Sequence, residues 1–331
     1  MSTSSGRAWR TPRWWRKRNL KALLLWPLSL LWQFGSVLRP RLAGEPQHVS
    51  VPVICVGNAV AGGAGKTPVV LSLVRLLPRV GLLPHSLSRG YGGKAYARPH
   101  AVEPTDSAAD VGDEALMLAR VAPCWVSADR VASARDAAAH GAKVVVMDDG
   151  WQSPYLHKDL HMLVVDGAYG IGNGFCLPAG PLREPWEQAL AKADAVVLLG
   201  EDATGLLERG VAQPVFRARL LPDADAIARW RDKQVLAFAG IGRPEKFFLT
   251  LTSIGAQIID RQVFADHHQF SDAELEALLA RAKAQNLQLL TTEKDWVRLR
   301  PEWRKQVQFL PVECVWENEK ALTSWMAERL G

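Results

Sequence analysis

At 331 residues the chain has room for roughly two domains. Its 48% hydrophobic content supports a packed core and excludes wholesale disorder. The net charge of +6 is local: residues 1–50 carry nine Lys/Arg against one Glu, whereas the remainder carries 31 Lys/Arg against 33 Asp/Glu. The chain therefore reads as a basic arm on a near-neutral body, and nucleic acid and anionic lipid both attract such an arm.

In the arm, Arg7, Arg10, Arg13, Arg16, Lys17 and Arg18 alternate with Trp9, Trp14 and Trp15, and an apolar run follows over residues 22–38. Five of the thirteen tryptophans fall in the first 32 residues, which favours a membrane–water interface over nucleic acid. The run sits at the short limit of the about 17–25 residues needed to span a bilayer and contains Pro27. At about 100° per residue, Arg18, Lys21, Ser29, Gln33 and Ser36 cluster within about a third of the helix circumference. A polar stripe on an apolar helix predicts a segment lying in the interface. No A-x-A cleavage site follows the run, which argues against a secretory signal.

Residues 53–68, VICVGNAVAGGAGKTP, combine a buried strand, a glycine-rich turn and a Lys-Thr pair that opens a helix. In a phosphate-binding loop of this form, backbone N–H groups over Val60, Ala61, Gly62, Gly63, Ala64 and Gly65 cradle phosphate oxygens. Lys66 reaches the β- and γ-phosphates and the Thr67 hydroxyl ligates Mg²⁺. Val60 stands where the pattern ordinarily has its first glycine.

Short apolar runs follow at residues 82–87, 124–127, 144–147, 162–165 and 195–199, separated by helical patterns at 69–77, 114–121 and 130–139. The alternation predicts an α/β fold, a P-loop NTPase-like mostly parallel sheet with helices on both faces, and ligands at the carboxyl ends of its strands. Asp148 and Asp149 end the run 144–147 as a Walker-B strand would, placed to bind Mg²⁺. The loop Ser88-Arg89-Gly90-Tyr91 suits an anionic substrate or a plain turn. Asp113 and Glu114 open a helix, where acidic residues often serve only as stabilisers of its N-terminus. Residues 177–184, LPAGPLRE, form a Pro/Gly loop that presents Arg183.

Strand signals weaken around residues 201–234, which places the divisions at 1–50 for the arm and membrane-associated helix, 51–225 for the nucleotide-binding core, and 226–331 for a smaller C-terminal α/β domain. In that second domain Ser271 and Glu274 form a capping box before a helix at 272–284. The preceding Asp266-His267-His268 loop reads as catalytic or substrate-contacting, because adjacent loop histidines are untypical of a core. The four cysteines, Cys55, Cys124, Cys176 and Cys314, form no C-x-x-C pair and suit a reducing compartment.

Taken in order, GNxxxGGxGKTP (57–68), SRGYGG (88–93), VGDE (111–114), DDGxQ (148–152), LPxGPLRE (177–184), DHHxF (266–270) and TTEKDxVR (291–298) make the chain resemble the tetraacyldisaccharide 4′-kinase family from the arm to about residue 312. The missing first glycine is a family feature, and Trp151 replaces a different aromatic. The resemblance implies transfer of phosphate from ATP to the 4′-hydroxyl of a tetraacylated glucosamine disaccharide 1-phosphate, at the cytosolic face of the inner membrane. It also implies that Asp113 is the base in a dyad with His267. Thr67, Asp148 or Asp149, Glu114 and Gln152 would organise Mg²⁺, and Asn58, Arg89, Tyr91, Arg130 and Arg183 would meet the lipid headgroup. Neither nucleic acid nor an obligate protein partner is expected. The alternative is a membrane-associated switch ATPase or GTPase of the deviant Walker type, but Ala61 occupies the position of its signature lysine.

Overall fold

The unbroken apolar runs become the central strands of a large sheet. The computed structural model describes residues 12–94 and 96–330; Arg7, Trp9 and Arg10 of the arm lie outside the described residues. In chain order the strands are β1 (Val53–Gly57), β2 (Pro84–Ser88), β3 (His100–Ala101), β4 (Cys124–Val126), β5 (Val144–Asp148), β6 (Leu160–Asp166), β7 (Ala195–Leu199) and β8 (Val215–Pro222). They continue as β9 (Gln234–Ala239), β10 (Gln257–Val263), β11 (Gln288–Thr292), β12 (Gln308–Leu310) and β13 (Val312–Trp316).

The large sheet runs β13-β8-β7-β6-β1-β5-β2-β4-β3, and only its two edge strands pair antiparallel. Every residue of β1, β5 and β7 is buried, as a sheet covered on both faces requires. Successive side chains alternate between two cores. Ile54, Val56, Val144 and Val146 pack with the helix Lys66–Leu76 on one face. Val53, Cys55, Val145 and Met147 pack with the helices Arg130–Ala139 and Trp186–Lys192 on the other. The second sheet, β10-β9-β11-β12, is parallel throughout.

Two strands depart from the sequence expectation. Residues 215–222 form β8 of the large sheet, inside the stretch where strand signals weaken. Residues 312–316 leave the second sheet and return to the first as β13, so the division at 226–331 does not hold to its end. The reason is local packing: Cys314 and Trp316 alternate inward, Trp316 Nε1 donates to Ser72 Oγ at 2.7 Å, and Leu322 and Met326 of the helix Glu319–Leu330 join the same core. The smaller sheet is thus inserted before the last strand of the larger one.

The N-terminal helix spans Leu20–Leu42, capped by Asn19 and unbroken by Pro27. Its buried or half-buried positions, Ala22, Leu25, Ser29, Gln33, Ser36 and Val37, recur at helical spacing and form the face turned to the body. The predicted polar stripe therefore partly faces protein and not water. Ser29 is wholly buried, and the Arg18 guanidinium lies 4.8 Å over the Phe175 ring. On the other face Leu24, Leu31 and Phe34 are 68–71% exposed. The helix is long and apolar enough to cross a membrane by length and composition.

Candidate active site

β1 delivers the chain to the glycine-rich turn at the carboxyl edge of the large sheet. Gly57 is required there because a Cβ would lie 2.5 Å from Trp151 Cβ. Gly65 caps the helix Lys66–Leu76 at φ +81, a conformation that favours glycine. Asn58 is fully buried; its Nδ2 donates to the Val60 carbonyl at 2.7 Å and its Oδ1 accepts from Lys66 Nζ at 3.2 Å. The outer side of the turn is held by residues 181–183: Ala61 N donates to the Pro181 carbonyl and Arg183 N to the Ala59 carbonyl, both at 2.7 Å. Around Gly62 and Gly63 nothing lies within 4 Å of an added Cβ, which leaves room for a phosphate chain against the Ala64–Gly65 end.

β5 pairs in register with β1, Val56 against Asp148, so the Walker-B carboxylate arrives beside the loop. Asp148 Oδ2 accepts from Thr67 Oγ1 at 3.0 Å. Its Oδ1 is buried with no hydrogen-bond partner among the described residues. Burial first, and the nearby charge of Glu114 second, push the Asp148 carboxyl up to about 7. A buried, partnerless carboxylate oxygen next to a threonine hydroxyl fits a hard divalent cation that takes oxygen ligands. Asp149 follows at φ +52 and turns away: it pairs with Lys66 at 3.4 Å and with Arg183 at 3.2 Å. Burial acts to raise its carboxyl, but Lys66 and Arg183 outweigh that and hold it below the usual range.

The second constellation joins the two sheets. Asp113 opens the helix Asp113–Ala119 after Gly112, where φ is +83 and an added Cβ would lie 2.7 Å from the Tyr91 carbonyl oxygen, so no side chain fits. His267, at φ +58 in the loop after β10, places Nδ1 3.3 Å from Asp113 Oδ2. The two side chains are therefore neighbours, although 153 residues lie between them in the chain. Tyr91 meets the His267 ring edge-on at 5.5 Å. Burial pushes the Asp113 carboxyl up, but the His267 hydrogen bond and the charges of Lys294 and Arg298 more than offset it and hold it well below the usual range.

Lys294 and Arg298 had no role in the sequence reading beyond their place in TTEKDxVR. Arg298 donates to Asp113 through Nε at 2.9 Å and through Nη2, while Lys294 Nζ lies 3.3 Å from Glu114 and 3.8 Å from Asp113. The sequence clue was a basic-acidic-basic spacing directly after a strand, which has no meaning until the strand end is seen to face Asp113.

The remaining expectations divide. Arg89 and Tyr91 are both exposed, and Tyr91 lies against His267. Asn58, expected against the headgroup, is instead a brace inside the phosphate loop, because both ends of its amide are used there. Arg183 is likewise engaged, with Asp149 and with Gln152 Oε1 at 3.0 Å. Gln152, expected near Mg²⁺, spends its amide on Arg183 and the Asn58 carbonyl. Glu114 is paired with Lys294. Arg130 is buried behind Asp148, and its Nη1 has no partner among the described residues.

Known proteins resemble this chain in fold and sequence. The family model for tetraacyldisaccharide-1-P 4'-kinase, LpxK, matches residues 21–331. The tetraacyldisaccharide 4'-kinase of Rhodospirillum centenum is 53% identical over 317 residues, covering 95% of this chain and 93% of the relative. That of Paramagnetospirillum magneticum is 48% identical over 326 residues, covering 97% and 99%. Among solved structures, LpxK from Aquifex aeolicus in complex with ATP aligns with a TM-score of 0.78 at 27% identity, covering 94% of this chain and 99% of that one. The chain belongs to the tetraacyldisaccharide 4'-kinase family.

Proposed function

We propose that this protein transfers the γ-phosphate of ATP to the 4′-hydroxyl of a tetraacylated glucosamine disaccharide 1-phosphate, giving the 4′-phosphorylated lipid A precursor. The carrying observation is the Asp113–His267 pair, built from both sheets and set beside a complete phosphate loop. The alternative, a deviant-Walker switch, relies on a lysine at the position held here by the uncharged Ala61.

Phosphoryl transfer is mostly positioning and neutralisation of charge. Lys66 and the N–H groups of Gly62, Gly63, Ala64 and Gly65 hold the phosphates, the Ala61 N–H being taken by the Pro181 carbonyl. Thr67 and Asp148 would hold Mg²⁺, with Glu114 adding negative charge nearby. An ion held there would supply positive charge to offset what develops on the phosphate oxygens. The attacking hydroxyl loses its proton to the dyad acting as one unit. Asp113 is 4% exposed and His267 32% exposed, so the imidazole meets the hydroxyl while the ionised Asp113 orients it. Arg89 and Tyr91 border that approach and contact the sugar phosphate.

The outward face of the helix Leu20–Leu42 supports a peripheral location on the cytosolic side of the inner membrane. Leu24, Leu31 and Phe34 there are 68–71% exposed, and Trp26 suits the headgroup layer. Such a placement brings the lipid to the enzyme without removing its acyl chains from the bilayer.

The deciding experiment is transfer of radiolabelled phosphate from ATP to a purified disaccharide 1-phosphate lipid. Labelled lipid that disappears with Lys66→Ala is the expected result. ATP hydrolysis without labelled lipid would overturn the reading.

A further inference from the structure

Residues 176–183 lie between the N-terminal helix and the phosphate loop and are hydrogen-bonded to both. On the helix side, the fully buried Ser29 hydroxyl donates to the Cys176 carbonyl at 2.8 Å and accepts from Ala179 N at 3.2 Å. Three residues further along, Trp32 Nε1 donates to the Arg183 carbonyl at 2.8 Å. On the loop side, Pro181 accepts from Ala61 N, Arg183 N donates to the Ala59 carbonyl, and Val60 bridges Leu182. The Arg183 guanidinium then reaches Asp149, which pairs with Lys66. A continuous run of bonded groups therefore leads from a serine in the arm to the lysine of the nucleotide site.

Two features make that run mechanically significant. Gly62 and Gly63 are exposed, and a Cβ added at either would meet nothing within 4 Å, so the turn is held at its attachments at Ala59, Val60 and Ala61. Ser29, in turn, satisfies a buried donor and a buried acceptor with one hydroxyl, and removing it leaves both uncompensated. Coupling between distant groups is carried by such contiguous packed and hydrogen-bonded networks.

We propose that Ser29 and Trp32 are positioning residues of the phosphoryl transfer, holding the phosphate loop and Arg183, through residues 176–183, in the posture that receives ATP. The arm helix is then a structural part of the nucleotide site and not only a lipid-facing appendage. The inference rests on the reading of residues 60–67 as the site of the ATP phosphates.

The test uses the full-length protein in detergent micelles without lipid, titrated with the Mg²⁺ complex of N-methylanthraniloyl-ATP. Ser29→Ala and Trp32→Phe, each measured on protein that melts cooperatively, should weaken binding by about three- to tenfold. In steady-state assays KM for ATP should rise by a larger factor than kcat falls. A purely structural defect would instead lower kcat or the melting temperature and leave nucleotide affinity intact, and that result overturns the proposal. Wild-type affinity in both arm variants alongside lost binding in Lys66→Ala overturns the coupling and spares the nucleotide site. Wild-type affinity in Lys66→Ala overturns both. Trp32→Phe keeps the arm side testable if Ser29→Ala does not fold.

Discussion

Arg298 closes on Asp113 from 185 residues further along the chain, with Nε 2.9 Å from Oδ2. The same guanidinium donates through Nη1 to Asp295 at 2.7 Å and to the Gly240 carbonyl at 2.8 Å. One buried side chain thereby ties the carboxylate of the dyad, carried by the large sheet, to the loop that follows β9 in the small one. Arg298→Met leaves a buried carboxylate without its main partner, a defect worth about 3–5 kcal/mol when a buried pair is broken. Urea unfolding should show that loss. Turnover should fall at least about 100-fold, and Arg298→Lys should recover part of it, since a lysine restores the charge but not the fork. Equal activity in Arg298→Met and wild type would rule the clamp out of catalysis.

The dyad itself makes a prediction about additivity. Asp113 and His267 lie 3.3 Å apart; if they act as the proposed base, Asp113→Ala and His267→Ala should each depress kcat by about 100- to 10,000-fold. The double variant should be little slower than the slower single, as for residues that act as a unit. Fully multiplicative losses in single-turnover assays would show that the two act independently.

Mg²⁺ dependence should carry the signature of Asp148. Its carboxyl, ordinarily near 3.8, is pushed up to about 7 by burial and then by Glu114. Below that pH the folded protein holds a proton where the cation goes, so Mg²⁺ must displace it; above it the carboxylate is free. The Mg²⁺ concentration that half-saturates nucleotide binding should therefore fall about tenfold between pH 6 and pH 8. Asp148→Asn should lose this dependence and retain only that of ATP itself. Stability runs the opposite way: without cation, the raised carboxyl favours the folded state at low pH, and that contribution is lost as pH rises through about 7.

The outward face of the arm can be separated from its inward face. Leu24 and Leu31 are 71% and 69% exposed, and each buried leucine contributes about 1.5–3 kcal/mol of transfer free energy. Leu24→Ser with Leu31→Ser should reduce sedimentation with anionic vesicles by at least about tenfold while ATP affinity in detergent is unchanged. Undiminished sedimentation would remove this face from the membrane contact.

Local pattern carried a large share of the fold. Four consecutive apolar residues before Asp148, glycines before Lys66-Thr67, and Ser271 three residues before Glu274 each specify a short segment through interactions within it. The capping box is present in the structure as the spacing required. β8 and β13 were missed for the same reason in reverse. The run Val-Phe-Arg-Ala-Arg-Leu-Leu-Pro half-exposes its side chains at the margin of the sheet, and β13 alternates only because Ser72 and the closing helix cover one side of it.

The site was legible in its chemistry and less so in its wiring. Sequence alone pointed to a glycine-rich loop before Lys66-Thr67, a carboxylate at a strand end, and an acidic helix start and a histidine loop of interest, because each depends on residue type and on spacing over a few positions. Only the tertiary structure decided that Arg298 and Lys294 face Asp113, that Asn58, Gln152 and Arg183 brace the loop, and that Ser29 turns inward from the arm. Those relations are long-range side-chain contacts, set by which strand ends the topology brings together, and no periodicity along the chain encodes them.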